Sequence, residues 1–220
     1  MDIQQLFLQR YDALAEFWIG DVWNKVSEEQ LRSRPHTQLN SIVWNLWHIT
    51  RVEDAGINRF VVDRPQVLFE GRWFDQMGVP YRHHGTGMTL EEVKHLSQAI
   101  NVEALHGYWR TVNSRTLEII AQLVPESLDA VLDSERFQVI LVDEGIAHPN
   151  VQWISEAYQG WTKGKCLMHF GLTHTYQHVG EIGAIGSVMG LVKLEVRGDN
   201  WVEFLEQDRL PIQQPAMNSR

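Results

Sequence analysis

Apolar residues recur at three- and four-residue intervals over four long stretches of the chain, the period of an amphipathic helix. The first covers residues 2–26, where Leu6, Tyr11 or Leu14, Phe17 or Trp18, and Val22 fall on one face. A capping box at Ser27-Glu-Glu-Gln30 then predicts a short helical turn. The second stretch covers residues 41–62, with Asn40 or Ser41 placed to cap it and Pro65 beyond its end. The third opens at the capping box Thr89-Leu-Glu-Glu92 and runs to residue 123, where Pro125 stops it. The fourth covers residues 162–190.

Between these stretches the pattern changes. Residues 63–88 are rich in Gly and Pro and predict a long ordered loop, a length that is uncommon unless the loop has a task. Residues 126–160 contain the β-prone run Phe137-Gln-Val-Ile-Leu-Val142, which predicts a short strand or hairpin. The tail turns polar after Leu191, predicting a C-terminal extension at 196–220 that is partly frayed. No repeat and no linker divides the rest, so residues 1–195 predict a single all-α domain, a four-helix bundle with long loops.

Composition supports a packed domain and excludes several functions. Hydrophobic residues make up 44% and charged residues 21%, an ordinary globular balance, and nine tryptophans add bulky core material. The net charge of −9 leaves no basic surplus with which to neutralise nucleic-acid phosphates. A single cysteine, Cys166, cannot form an internal disulfide, which fits a reducing cytosol. There is no leader-like start and no run of roughly 18 apolar residues. The expectation is a cytoplasmic protein without a membrane or nucleic-acid partner.

The chemistry lies in the histidines. His174 and His178 are four residues apart, so on a helix turning about 100° per residue their rings sit about 40° apart. Leu167, Phe170, Glu181 and Ile185 share that direction, so the pair interrupts an apolar stripe. A buried imidazole with no partner costs ~1–3 kcal/mol, and one divalent ion would serve both rings. His169 points about 140° away and is expected at the surface or at another interface. The second helix carries His48, with Trp44, Asn45, Val52 and Ala55 on its face. Alone, such a histidine is more often a satisfied core residue than a ligand. Facing a His-x-x-x-His helix inside a bundle, it is the best third ligand.

Other residues invite a functional reading beside a plainer one. Cys166 lies near the start of the fourth helix, but a buried structural thiol is the better reading. His83 and His84 are adjacent and diverge, so chelation by the pair is not expected and one should face solvent. Their loop, with Trp73, Phe74 and Tyr81, could lid the site. Glu53 reads as an exposed helix carboxylate. Gly180, Gly183, Gly186 and Gly190 predict a close helix contact, within the bundle or across a homodimer.

The run Ser41-Ile-Val-Trp-Asn-Leu-Trp-His48, followed by His174-Thr-Tyr-Gln-His178-Val-Gly-Glu181, resembles the DinB/YfiT-like superfamily of metalloproteins. The resemblance covers most of the chain. It implies an up-down-down-up four-helix bundle with His48, His174 and His178 as ligands of one divalent ion, zinc or nickel foremost, with iron or manganese as further choices. Three protein nitrogens leave a coordination position open, as catalytic sites do. The activities implied are thiol-dependent S-transfer or isomerisation of a small-molecule substrate with a low-molecular-weight thiol, or metal-assisted hydrolysis. A non-catalytic metal-binding or stress-response protein is the alternative. The chain departs from the usual His-x-x-x-His-Arg-Gly-Gln form, with Val179 for Arg and Glu181 for Gln. That puts in doubt any role needing the arginine. Glu181 could act as a base, hold a ligand histidine in place, or simply edge the bundle.

Overall fold

A computed structural model describes residues 3–191, and the expected extension at 196–220 lies outside them. The structure is mostly helical. Helix α1 spans residues 3–25, α2 residues 42–61, α3 Leu90–Ala99, α4 Val102–Gln122 and α5 residues 163–188. Three of these are widened by a π-turn, at Leu14–Ile19 in α1, Gly56–Val61 in α2 and His169–Thr173 in α5. Their starts follow the expected caps. The Ser41 hydroxyl accepts from the Trp44 amide, Thr89 closes a capping box with Glu92, and Thr162 accepts from the Lys165 amide.

Contacts between the helices give the topology. Trp23 stacks on His106 while Gln4 reaches the Ile120 carbonyl, so α1 and α4 are antiparallel. Phe7 lies against Gly171 and Tyr176 reaches the Arg10 carbonyl, so α1 and α5 run parallel. Asn45 meets His178 while Gly56 meets Phe170, so α2 and α5 are antiparallel. Arg51 meets Tyr108 and Glu53 meets Thr116, so α2 and α4 run parallel. The four long helices α1, α2, α4 and α5 therefore run up, down, down and up.

Several expectations change. The third stretch is two helices, because Ile100 turns extended into the core and Asn101 caps a new start by accepting from the Ala104 amide at 3.1 Å. The expected hairpin is absent. Ser134–Gln138 is α-helical and continues as a π-turn over Val139–Asp143. Phe137, Ile140 and Leu141 are all buried, a helical spacing that outweighs the β propensity of the run. Among the described residues the β pairing is one isolated bridge, Val131 to Thr162.

Helix α2 is the axis of the core, buried along the whole of Ile42–Ala55. It carries charges that need internal partners. Asp54 accepts from the amides of Val67 and Leu68, each at 2.9 Å, and from Tyr108 at 2.5 Å. Arg51 donates to Gln66 at 2.9 Å, to Tyr108 at 3.0 Å and to the Arg82 carbonyl at 2.6 Å. These bonds tie the 63–88 segment to α2. The segment is not a bare loop, since it contains the short helices Val67–Glu70 and Trp73–Met77. Glu53 is buried rather than exposed, and takes hydrogen bonds from Tyr11 and Thr116.

Candidate metal centre

The antiparallel pairing of α2 with α5 sets His48 beside His174 and His178. Ring centroids lie 4.9 Å apart for His48 and His174, and 4.6 Å apart for the other two pairs. One ligand nitrogen from each ring lies within 4.8 Å of the other two, a spacing that could hold a metal ion. Trp44, one turn before His48, stacks on its ring at 4.7 Å and closes that side.

Hydrogen bonds select the nitrogens. His48 donates Nδ1–H to the backbone carbonyl of His84. His178 Nδ1 lies 3.0 Å from Asn45 Oδ1 and 3.0 Å from Glu181 Oε2. The Asn45 amide is itself oriented, because its nitrogen donates to the Ser41 carbonyl at 3.1 Å. With Nδ1 protonated in both rings, each Nε2 keeps a free lone pair for an ion. His174 Nδ1 is enclosed with no hydrogen-bond partner in the structure. Burial, then the neighbouring rings, holds His48 well below its ordinary pKa. The same causes lower His174 to about 2. Neutral imidazole is the ligand form, so the three rings fit a divalent ion.

The structure also shows what sits behind the predicted residues. Glu181 touches His178 Nδ1 from a half-exposed position and, among the described residues, belongs to no group placed to share an ion. Asn45 shares that task and was not singled out from the sequence for it. The available signal was a buried amide on the helix face of His48. Val179 packs against the core. His169 is half-buried among aromatics, 5.1 Å from Trp161, so of its two expected settings the packed one holds. Cys166 is buried and its thiol is pushed up to about 12, which leaves no thiolate. A Cβ at Gly180 or Gly183 would meet nothing within 4 Å, so these glycines serve no close helix contact among the described residues.

Neither histidine of the 83–84 pair faces open solvent. His84 is buried and His83 half-buried. His83 stands with Glu92 and His148 in a second group of closely spaced donor atoms. There the hydrogen bonds run the other way. His83 Nδ1 accepts from the Gly85 amide and His148 Nδ1 from the Asn150 amide, both at 3.1 Å. Each Nε2 therefore carries the proton and suits a carboxylate. His148 Nε2 faces Glu92 Oε1 at 3.4 Å. The group reads as a clamp between the 83–88 and 146–150 segments, which also meet through His84 N–H to the Ile146 carbonyl at 2.9 Å.

Beside His174 is a cavity of about 30 Å³. His174 and His84 line it together with Val52, Phe60, Phe170 and Tyr158, and no cationic side chain among the described residues does so.

The sequence profile of the DinB superfamily matches residues 19–182. The chain belongs to the DinB superfamily. A search of curated proteins finds no match. Among solved structures, a conserved protein from Enterococcus faecalis superposes with a TM-score of 0.63 at 17% sequence identity. The match covers 86% of this chain and 99% of that one, and it shows a shared fold. Superfamily membership and the buried histidine cluster together fit a metal-binding protein.

Proposed function

We propose that this DinB-superfamily protein binds one divalent metal ion through His48, His174 and His178 and uses it to act on a small molecule. The observation that carries this reading is the set of three rings 4.6–4.9 Å apart, two of them with Nδ1 committed to acceptors. A donor set of neutral imidazoles suits zinc, nickel or iron. When bound, such an ion supplies Lewis acidity and lowers the pKa of a thiol or water at its open position.

The chain's own residues fit thiol-dependent transfer or isomerisation, with metal-assisted hydrolysis as a close variant. Asn45 and Glu181 hold the His178 ring, and the His84 carbonyl holds His48. The cavity beside His174 offers a largely apolar wall. With Val179 packed against the core and no cation among the described residues on the cavity wall, the group received there is uncharged. A second reading, metal binding without turnover, is favoured by the closure of the site, since His48 is only 2% exposed.

Elemental analysis tests the metal. About one ion per chain is expected, and His174→Ala should lose it. Equal metal content in wild type and variant sinks the assignment. Screening the metal-loaded protein for thiol consumption with electrophiles separates the two readings. Absence of turnover with every cellular thiol leaves the binding reading standing.

A further inference from the structure

Gly85 follows His84 directly, so the His84 carbonyl and the Gly85 amide belong to one peptide group. Both ends of that group are bonded. Its oxygen receives Nδ1–H of His48, and its N–H donates to His83 Nδ1 at 3.1 Å. A chain of hydrogen bonds thus runs from His48 through one peptide to His83. In a planar trans peptide the C=O and N–H point in opposite directions, so an acceptor that fixes the N–H also fixes where the oxygen points. The two bonds polarise the same amide and strengthen each other.

The orientation of this peptide needs such holding. Gly85 sits at φ +99° and, as a glycine, leaves the backbone freer to turn than any other residue would. His83, by contrast, is packed. Its ring stands edge-on to His148 with centroids 4.8 Å apart and to Trp47 at 6.3 Å. Only a ring with an unprotonated Nδ1 can accept there. Burial, then the nearby His148 ring, lowers the His83 pKa to about 4, so the acceptor is present at neutral pH.

We propose that His83 is a positioning residue for His48: its Nδ1 holds the 84–85 peptide in the orientation that keeps the His48 proton on Nδ1 and leaves Nε2 free for an ion. The link from His83 to His48 stands on the hydrogen bonds alone, while its effect on an ion rests on the metal site proposed above. His83 itself does not belong to the group formed by His48, His174 and His178. The competing account is a plain turn, in which a side chain accepts from the amide two residues on and stabilises only its own segment.

The test uses the full-length protein with His83→Asn and His83→Leu. Asn accepts from an amide two residues on through Oδ1, which hangs from Cγ as Nδ1 does in His, whereas Leu fills space without an acceptor. Nitrogen-15 NMR of the metal-free protein reads the His48 tautomer. Wild type and His83→Asn should show a single Nδ1-protonated ring, and His83→Leu should show exchange between tautomers. Zinc affinity, measured by competition with a chelator, should fall about tenfold in His83→Leu and stay within about twofold of wild type in His83→Asn, the lower end for residues that orient a ligand from behind. An unchanged His48 tautomer in His83→Leu overturns the proposal, as does an unchanged zinc affinity. An equal loss in both variants overturns it too, by assigning the effect to the bulk of the ring. A wild type that takes up no zinc sinks the metal site alone, because the tautomer in the metal-free protein still decides the role of His83.

Discussion

The backbone carbonyl of His84 receives the Nδ1–H of His48, so a residue of the 83–88 segment decides which nitrogen of a core histidine is free. The path of that segment depends on Gly85. Its φ is +99°, and an added Cβ would lie 2.5 Å from the Trp47 ring. Gly85→Ala should therefore shift the segment and loosen His48, lowering metal affinity about tenfold or more. Competition against a chromophoric chelator measures this, and an unaltered affinity would separate the segment from the site.

His178 is held by two acceptors of unequal setting. Asn45 is buried and oriented by Ser41, while Glu181 is half-exposed and screened by solvent. Asn45→Ala is expected to weaken metal binding about 10-fold, at the lower end of the range for residues that orient a ligand. Glu181→Ala should have a smaller effect, and the double variant should exceed both. If Glu181→Ala alone abolishes activity with metal content intact, the carboxylate acts in the reaction rather than on the ring.

Much of this arrangement was legible in the sequence, and the rest required tertiary contacts. The spacing of His174 and His178 is a local fact of helical geometry. The partner of His48 is a backbone carbonyl, which no side-chain pattern encodes. Glu53 was misread because α2 has no solvent face, although its run of Trp, Ile, Leu and Val on all sides is what a central helix requires. The segment from Phe137 was misread through propensity, although residues 137, 140 and 141 already had the helical interval. Nothing local marked the break at Ile100 beyond Asn101, a good cap inside a longer periodic run.

The anchor of the 63–88 segment should be a stability determinant. Asp54 and Arg51 are both fully enclosed, and Asp54 takes the amides of Val67 and Leu68. Asp54→Ala leaves the Arg51 charge without its partner and should cost about 3–5 kcal/mol. Tyr108→Phe removes single bonds to each and should cost about 1–2 kcal/mol. Urea denaturation gives both values, and a loss below 1 kcal/mol for Asp54→Ala would show the network to be dispensable.

Glu53 makes stability depend on pH. Burial raises its carboxyl to about 7 from an ordinary 4.5, against the opposing effect of the bonds from Tyr11 and Thr116. The folded chain thus holds a proton that the unfolded chain releases near 4.5. Its contribution is complete below that pH and fades as pH rises through about 7, by at most a few kcal/mol. Glu53→Gln keeps the acceptor oxygen without the charge. It should flatten the change in urea midpoint between pH 5 and pH 8 and exceed wild type at pH 8. Parallel profiles would assign the slope to other groups.

Closure of the site has a consequence for time as well as for affinity. With His48 roofed by Trp44 and the His84 segment, and that segment stitched to residues 146–150, ligand bonds alone do not set how long an ion stays. Entry and escape both wait for the two segments to part, a local opening with its own free energy. A strong chelator should then strip metal at a rate that stops rising with chelator concentration, the plateau being the opening rate of the clamp built by His83, Glu92 and His148.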